Sequence, residues 1–212
     1  MNKTVFIIGS APEADTAYVR KMYETYDSPY VICADGGARH ARRHHIPVDL
    51  LIGDGDSLEE ALACEYIRLP THKDDTDIKT CVHEALARGG EHIVLVCVSG
   101  GRADHYLANL ALLESIAEAG GSGEIYDAQN RIRFFGSGTV AVGRNAAYRY
   151  VGIVPLDYRV EGVTLRGFAY PLERATLRRE DIISTSNELL EETGTVTVES
   201  GRYYLIESSD QH

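Results

Sequence analysis

The chain has 212 residues and a formal net charge of −11 at pH 7, with 44% hydrophobic and 25% charged residues. This composition is typical of a globular protein with one large domain or two small ones. The acidic balance argues against nucleic acid or an anionic membrane surface as the main partner. No apolar run approaches the ~20 residues that cross a bilayer. The sequence starts without a signal-peptide layout and its four cysteines form no CxxC pair, so we expect a cytoplasmic protein with reduced thiols.

Short apolar runs alternate with helical patterns in the first two-thirds of the sequence. The runs lie at residues 5–8, 30–34, 50–52, 66–69, 92–98 and 124–127. The helical patterns lie at residues 13–26, 37–45, 57–60, 78–86 and 104–119. Strands that alternate with helices predict a mostly parallel sheet, so we expect an α/β/α domain over residues 1–128.

The pattern changes near residues 127–131, where helical periodicity ends. Short strand patterns follow at residues 132–135, 140–142, 148–154, 163–165, 196–199 and 203–206, and Ser200-Gly201 is typical of a hairpin turn. An all-β sandwich or a small barrel is the natural interpretation. The predicted fold class is therefore α/β, with a C-terminal all-β sandwich domain over residues 129–212.

Acidic motifs recur where predicted strands end. They are GDGDS at residues 53–57, KDDTD at residues 73–77 and GGRADH at residues 100–105. Ligands bind at the carboxyl ends of parallel strands, and the aspartates at such positions are Asp35, Asp54, Asp56, Asp74, Asp77 and Asp104. Two carboxylates ~4 Å apart repel by about 1 kcal/mol in water and about 4 kcal/mol near a protein surface, unless a cation lies between them. Magnesium usually takes one or two carboxylates plus substrate phosphates, so the motifs predict a magnesium-nucleotide site.

Each of these signals has a plainer alternative. A single aspartate at such a position can be a helix N-cap. Arg102 lies in a glycine-flanked loop before a helix, where it can hold phosphate oxygens or pair with Asp104. Lys73 is either a phosphate ligand or a solvated lysine. His40 and His44 have metal-ligand spacing, but the arginines around them favour a solvated helix face.

The motifs together resemble those of the thiamine pyrophosphokinase family. Four N-terminal motifs stand in the family's order: ADGGA at residues 34–38, GDGDS at 53–57, DDTD at 74–77 and GGRADH at 100–105, with Asn109 one turn further on. The segments GVTLRGFAYPL at residues 162–172 and TSN at residues 185–187 resemble its C-terminal signature. The resemblance covers nearly the whole chain.

The resemblance implies a nucleotide-binding α/β domain, a thiamine-binding β domain, and a homodimer whose active sites are shared between subunits. It implies transfer of the β,γ-pyrophosphoryl group of ATP to the hydroxyl of thiamine, with release of AMP. The sequence departs from the family's usual pattern at two points. Gly55 replaces a residue that is commonly bulky, and the chain has no tryptophan, so a wall for the thiamine rings would be Tyr, Phe or aliphatic.

The resemblance also assigns roles to the acidic residues and Arg102. Asp54, Asp56 and Asp77 would bind Mg²⁺, with Asp74 either as a further ligand or as a residue that contacts the ligands from behind. Arg102 would stabilise charge on the phosphates of ATP. Asp104 would orient the acceptor hydroxyl or accept its proton, and the sequence does not decide between the two roles.

The remaining assignments concern the walls of the site. Asp35, Gly36, Gly37 and Thr76 would line the ATP cleft. Ser186 and Asn187 would hydrogen-bond the pyrimidine ring of thiamine from the partner subunit. Two alternatives stay open: a pyrophosphokinase acting on another alcohol such as a pterin, and a non-catalytic sensor of Mg-ATP.

Overall fold

The computed structural model describes residues 3–13, 15–55, 64–70, 76–181 and 183–210. The chain divides into two compact units, Met1–Ala128 and Gln129–His212. Asp56, Lys73 and Asp74, together with the helix predicted at residues 57–60, lie outside the described residues.

The first unit contains a parallel sheet. Among its described residues, neighbouring strands pair in parallel, in the order β6-β5-β1-β2-β3-β4. The central strands are short apolar runs, and β4 at the edge is largely exposed. The strands are β1 (Thr4–Ile8), β2 (Tyr30–Ala34), β3 (Leu50–Gly53), β4 (Glu65–Arg68), β5 (His92–Val96) and β6 (Ser122–Tyr126).

Helices connect these strands. They are α1 (Ala17–Glu24), α2 (Gly37–Arg43), α3 (Asp77–Ala87) and α4 (Ala103–Glu118). In α3 the predicted apolar stripe is buried against β1, β2 and β3. Thr76 is the N-cap of α3, and its hydroxyl accepts a hydrogen bond from the Lys79 N–H at 3.3 Å.

The strand order reverses direction at β1. The chain runs from β1 through β2 and β3 to β4, and then returns to place β5 on the other side of β1. In open α/β sheets, ligands bind at the carboxyl ends of the strands where the strand order reverses, so this end of β1 and β5 is the place to look for a site.

Two predicted elements are shorter than expected. Helix α1 begins at Ala17 rather than at residue 13. Glu13 lies before the helix, and its side chain accepts a hydrogen bond from the hydroxyl of Ser99 in the loop after β5. Strand β5 ends at Val96 rather than at residue 98, because Cys97 has a φ of 54° and turns the chain out of the sheet.

The interpretation of His40 and His44 as a solvated helix face is wrong. Both residues are half-buried, and their helix α2 packs against β1 and β2. The Nε2 atom of His44 lies 3.0 Å from the Thr16 hydroxyl. Burial and the neighbouring Arg43 lower the pKa of both imidazoles.

The second unit consists of two antiparallel sheets, with strand orders β12-β9-β14-β7 and β11-β10-β13-β8. Apolar residues from both sheets, among them Ile153, Leu205, Val163 and Val196, form one hydrophobic cluster. The strands are β7 (Asn130–Phe135), β8 (Gly138–Gly143), β9 (Tyr150–Pro155), β10 (Arg159–Arg166), β11 (Leu172–Arg178), β12 (Asn187–Glu188), β13 (Thr193–Val198) and β14 (Tyr203–Ser208).

The predicted hairpin at Ser200-Gly201 is wrong. The strands before and after it, β13 and β14, lie in different sheets, so these residues connect the sheets. Gly201 has a φ of 108°, and a Cβ there would lie 2.9 Å from the carbonyl oxygen of Arg159. Ser200 instead forms an isolated antiparallel bridge with Glu161, and glycine at position 201 allows the chain to pass close to the backbone of Arg159.

Candidate active site

A cleft of about 580 Å³ opens in the first unit at the carboxyl ends of β1 and β5. Its volume falls within the range of small-molecule sites. The described residues that line it come from the loop after β1, the end of β2, the start of α3, and the segment from the end of β5 into α4. They are Ser10, Ala11, Pro12, Ala34, Thr76, Asp77, Ile78, Cys97, Val98, Gly100, Gly101, Arg102, His105 and Asn109.

The loops after β1 and β5 lie against each other. The Gly9 N–H donates to the Val96 carbonyl at 2.8 Å, and the Ala11 N–H donates to the Cys97 carbonyl at 2.9 Å. A Cβ at Gly9 would lie 2.3 Å from the carbonyl oxygen of Cys97, so this approach requires glycine. The two loops therefore form one continuous wall of the cleft.

Arg102 and Asp104 form an ion pair beside the cleft. The guanidinium contacts the carboxylate at 2.5 and 3.1 Å, and both side chains are exposed. The hydrogen bond from Arg102 lowers the pKa of the Asp104 carboxyl below its usual range. Asp104 also accepts the His105 N–H at 2.9 Å, which fixes it in the first turn of α4. The pairing considered as an alternative for Arg102 is thus present in this structure.

The carboxylates lie at three places along the sheet edge. Asp77 is the first residue of α3 and lines the cleft. Asp54 follows β3 directly and is half-buried. Asp35 follows β2, where its N–H donates to the Ile52 carbonyl at 2.7 Å, and a Cβ at Gly53 would lie 2.9 Å from the Asp35 Cβ. The chain thus brings Asp35 next to the start of the GDGDS motif.

No group of three or more potential metal ligands occurs among the residues that the structure describes. Asp56 and Asp74 are outside that set. The donors that are described, Asp54 and Asp77, are carboxylates of the kind that magnesium prefers.

The structure accounts for the unusual Gly55. This residue has a φ of 88°, and a Cβ on it would lie 2.7 Å from the Tyr66 hydroxyl. The same hydroxyl donates to the Gly53 carbonyl at 3.1 Å. Tyr66 therefore occupies the space that a side chain at position 55 would need, and it is bonded to the backbone of the acidic turn.

Gly36 and Gly37 have a packing role. A Cβ on Gly37 would lie 2.1 Å from the Ile8 carbonyl oxygen, so glycine lets α2 begin against the end of β1. Among the described residues, the cleft lining includes Ala34 but not Asp35, Gly36 or Gly37.

In the second unit, Asn187 and Ser186 have different surroundings. The Asn187 side chain is buried, and its amide accepts from the Tyr170 N–H at 3.0 Å and donates to the Tyr170 carbonyl at 2.8 Å. Ser186 is exposed, with a φ of 54°. Tyr170 is 67% exposed, and its backbone is held by the buried amide of Asn187.

Sequence reasoning missed part of the cleft. Ser10, Ala11 and Pro12 line it, yet they carry no charge and belong to no motif. Their only signal is their place after β1, the strand at which the sheet order reverses. Asn109 was noted, and its side-chain amide donates to the Val98 carbonyl at 2.8 Å inside the protein.

Comparison with known proteins identifies the relatives of this chain. Two family models match it: thiamin pyrophosphokinase, catalytic domain, over residues 23–121, and thiamin pyrophosphokinase, vitamin B1 binding domain, over residues 138–203. The thiamine pyrophosphokinase of Bacillus subtilis (strain 168) is 31% identical over 172 residues, which are 78% of this chain and 80% of that protein. The chain belongs to the thiamine pyrophosphokinase family.

Solved structures of thiamine pyrophosphokinases share the fold. The crystal structure of the Bacillus subtilis enzyme has a TM-score of 0.89 at 27% identity, and the match covers 98% of this chain and 100% of that one. The structure of the Geobacillus thermodenitrificans enzyme has a TM-score of 0.87 at 28% identity, with 98% of each chain covered. The predicted α/β class is confirmed.

Membership of the thiamine pyrophosphokinase family gives the reaction. The chain is a transferase, and its reaction is ATP-dependent pyrophosphoryl transfer to thiamine, which gives thiamine diphosphate. The sequence-based predictions of family, enzyme class and reaction are confirmed. Among the described residues, no helix has both the length and the apolar character needed to cross a membrane.

Proposed function

We propose that the cleft of the first unit is the ATP site at which thiamine pyrophosphorylation takes place. The observation that carries this proposal is that Asp77 and Arg102, a carboxylate and a guanidinium from two different connections, line one cleft at the point where the strand order reverses. A magnesium-nucleotide site needs both an oxygen donor and a phosphate-binding cation.

The triphosphate would bind along the loop that leads into α4. Gly100 and Gly101 have φ values of 79° and 67°, a backbone shape that glycine adopts without strain. The loop ends at the N-terminus of a 16-residue helix, where backbone N–H groups favour anions. Arg102 would keep its hydrogen bonds to Asp104 and bind phosphate oxygens through its remaining guanidinium N–H groups when ATP binds.

We assign Asp54, Asp56 and Asp77 to Mg²⁺, with Asp74 as a further ligand. The oxygen donors suit this ion. When bound, magnesium neutralises charge on the phosphate oxygens of ATP. The carboxylates of this chain hold the ion, and Asp77 also satisfies the positive end of the α3 dipole.

Asp104 would orient the hydroxyl of thiamine. In the reaction, the hydroxyl oxygen forms a bond to the β-phosphorus of ATP, the bond from that phosphorus to the α-phosphate oxygen breaks, AMP leaves, and the hydroxyl proton is released. A carboxyl whose pKa is lowered by Arg102 is a weak base. Its oxygens still accept the hydroxyl hydrogen bond, so orientation is the role that this pair favours.

Thiamine would be held by the second unit of the partner subunit in a homodimer. Ser186 is exposed and available to the pyrimidine ring. Because both ends of the Asn187 amide are bonded to Tyr170, we assign Asn187 a positioning role and Tyr170 the role of the aromatic wall. An exposed tyrosine ring attracts a cation such as thiazolium.

We extend the proposal to architecture and location. Residues 1–128 would be an α/β/α nucleotide-binding domain, with Asp35, Gly36, Gly37 and Thr76 shaping its ATP cleft. Residues 129–212 would be a thiamine-binding β-sandwich, a proposal supported by the hydrophobic cluster that its two sheets share. The enzyme would be cytoplasmic.

The test is to incubate the protein with ATP, magnesium and thiamine, and to measure AMP and thiamine diphosphate in the same sample. Equimolar products that require magnesium would support the assignment. A panel that includes a pterin alcohol tests the acceptor. If AMP forms without thiamine diphosphate, or only the pterin is modified, the proposal fails.

A further inference from the structure

Glu13 connects the two loops that form the wall of the cleft. Its Oε1 atom accepts two hydrogen bonds from Ser99, from the N–H at 3.2 Å and from the hydroxyl at 2.9 Å. Its Oε2 atom accepts the Tyr18 hydroxyl at 2.5 Å. One carboxylate therefore ties the loop after β1 to the loop after β5 and to α1.

Tyr18 extends the connection to the end of β5. Its hydroxyl oxygen accepts the Cys97 N–H at 3.1 Å, and the Tyr126 carbonyl oxygen lies 3.2 Å away. Cys97 is the residue whose left-handed backbone turns the chain out of β5. Glu13 and Tyr18 thus hold the turn at both of its ends, at residues 97 and 99.

The same loop continues directly into the proposed phosphate site. Gly100 and Gly101 follow Ser99, and a Cβ on Gly101 would lie 3.0 Å from the Pro12 ring. Pro12 and both glycines line the cleft. Any displacement of Ser99 would therefore move the backbone that precedes Arg102.

The charge of Glu13 is held at a cost to stability. Burial raises the pKa of its carboxyl, and the charge of Asp127 raises it further, while the bonds from Tyr18 and Ser99 oppose the shift. Cys97 and Tyr106 are the other titratable groups that interact with it. Among the described residues, no cation forms an ion pair with Glu13, and burying a charged group without such a partner is unfavourable. A role in positioning its neighbours therefore explains this residue better than a contribution to stability.

We propose that Glu13 is a positioning residue that holds the loop of residues 99–102 in the shape that receives the phosphates of ATP. This inference rests on the proposed ATP site. It adds a residue that touches no substrate and belongs to none of the family-like motifs.

The test compares Glu13→Ala, which removes the acceptor, with Glu13→Gln, which keeps an oxygen for Ser99. The control is Glu24→Ala on α1, an exposed glutamate that pairs with Arg20. Affinity for the unreactive analogue α,β-methylene-ATP is measured with magnesium by calorimetry. Amide hydrogen exchange of residues 97–102 is measured without any nucleotide.

We expect Glu13→Ala to bind the analogue about tenfold more weakly, because a small misplacement of a positioning element can reduce rates and affinities by that much or more. Exchange at residues 97–102 should accelerate. Glu13→Gln should recover most of the affinity, and Glu24→Ala should match the unmodified enzyme in both measurements.

The proposal is overturned if Glu13→Ala keeps both its affinity and its slow exchange, or if Glu13→Gln is as impaired as Glu13→Ala. The exchange measurement separates this failure from a failure of the ATP site. If the unmodified enzyme does not bind the analogue, the proposed site is wrong. If amide hydrogen exchange at residues 97–102 is unchanged in Glu13→Ala, by contrast, Glu13 does not hold the loop after β5 in place.

Discussion

The two units present their candidate residues in different ways. In the first unit, Asp77 and Arg102 lie on connections between parallel strands and helices, and the sheet topology alone brings them to one cleft. In the second unit, the exposed ring of Tyr170 is held by a buried amide, Asn187, from another part of the chain. The first site therefore depends on strand order, and the second depends on one side chain that binds backbone.

The largest effect is expected at a carboxylate of the first unit. Asp77→Asn should reduce kcat/KM about 1000-fold, a loss typical of removing an electrostatic group from an active site. The amide still suits the first turn of α3, so the free energy of unfolding should fall by no more than about 1 kcal/mol. Steady-state kinetics and urea denaturation measure the two quantities.

Asp27→Asn, in the turn before β2, is the matched control and should be fully active. A fully active Asp77→Asn enzyme would contradict the proposal that strand order brings functional residues to the cleft of the first unit, because this carboxylate would then have no role in catalysis.

The next effect concerns the second unit. Asn187→Ala leaves the N–H and carbonyl of Tyr170 without their partner, which should lower the free energy of unfolding by about 1–3 kcal/mol. The KM for thiamine should rise about tenfold, since the ring that it meets is no longer fixed. The KM for ATP should not change.

Tyr170→Ala separates the effect on thiamine binding from the effect on stability. It should raise the KM for thiamine without a loss of stability, because the ring is exposed. If Asn187→Ala raises the KM for ATP as much as the KM for thiamine, the Asn187 amide stabilises the whole protein rather than positioning the Tyr170 ring.

A smaller effect is expected at Tyr66. Tyr66→Phe removes the hydrogen bond to the Gly53 carbonyl, which is worth about 1 kcal/mol, and should raise the half-saturating magnesium concentration about threefold. Tyr158→Phe is the control, since Tyr158 is also exposed but lies in the second unit. An unchanged magnesium requirement would show that the acidic turn holds its shape unaided.

The smallest expected effect is a pH dependence of stability at Glu13. Burial raises the pKa of this carboxyl in the folded protein, so folding favours its protonated form. The protonated carboxyl makes its full contribution to stability below the unfolded pKa of about 4.3, and that contribution is lost as the pH rises through the folded pKa. Glu13→Gln cannot titrate. The stability of this variant relative to the unmodified enzyme should therefore increase as the pH rises above the unfolded pKa of about 4.3 and level off above the folded pKa.

Urea denaturation at several pH values measures this difference. A difference that is constant, or that grows as pH falls, would contradict the expected sign. A parallel binding series should show that the variant keeps most of its affinity for the ATP analogue across the same pH range.

Much of the first unit was predictable from local pattern. Apolar runs and helical stripes gave the order of elements, and the acidic motifs gave the edge of the sheet at which to search. The loop at residues 10–12 was not predictable from its composition, because uncharged residues acquire a role there only through the strand order.

The second unit was less predictable, for two physical reasons. Strand β11 has mostly exposed side chains, so its sequence shows no clear apolar alternation. The partner of Asn187 is a backbone segment 17 residues away, and no spacing rule for side chains finds such a contact. Sequence reasoning named Asn187 through resemblance, and the structure shows what its amide contacts.

Cys97 has a consequence for how this enzyme meets oxidants. Its thiol lies in the wall of the cleft, fully buried, and burial raises its pKa to about 12. Only the thiolate reacts readily with peroxide or alkylating agents. We therefore expect the Cys97 thiol to react more slowly with peroxide than an exposed thiol of lower pKa.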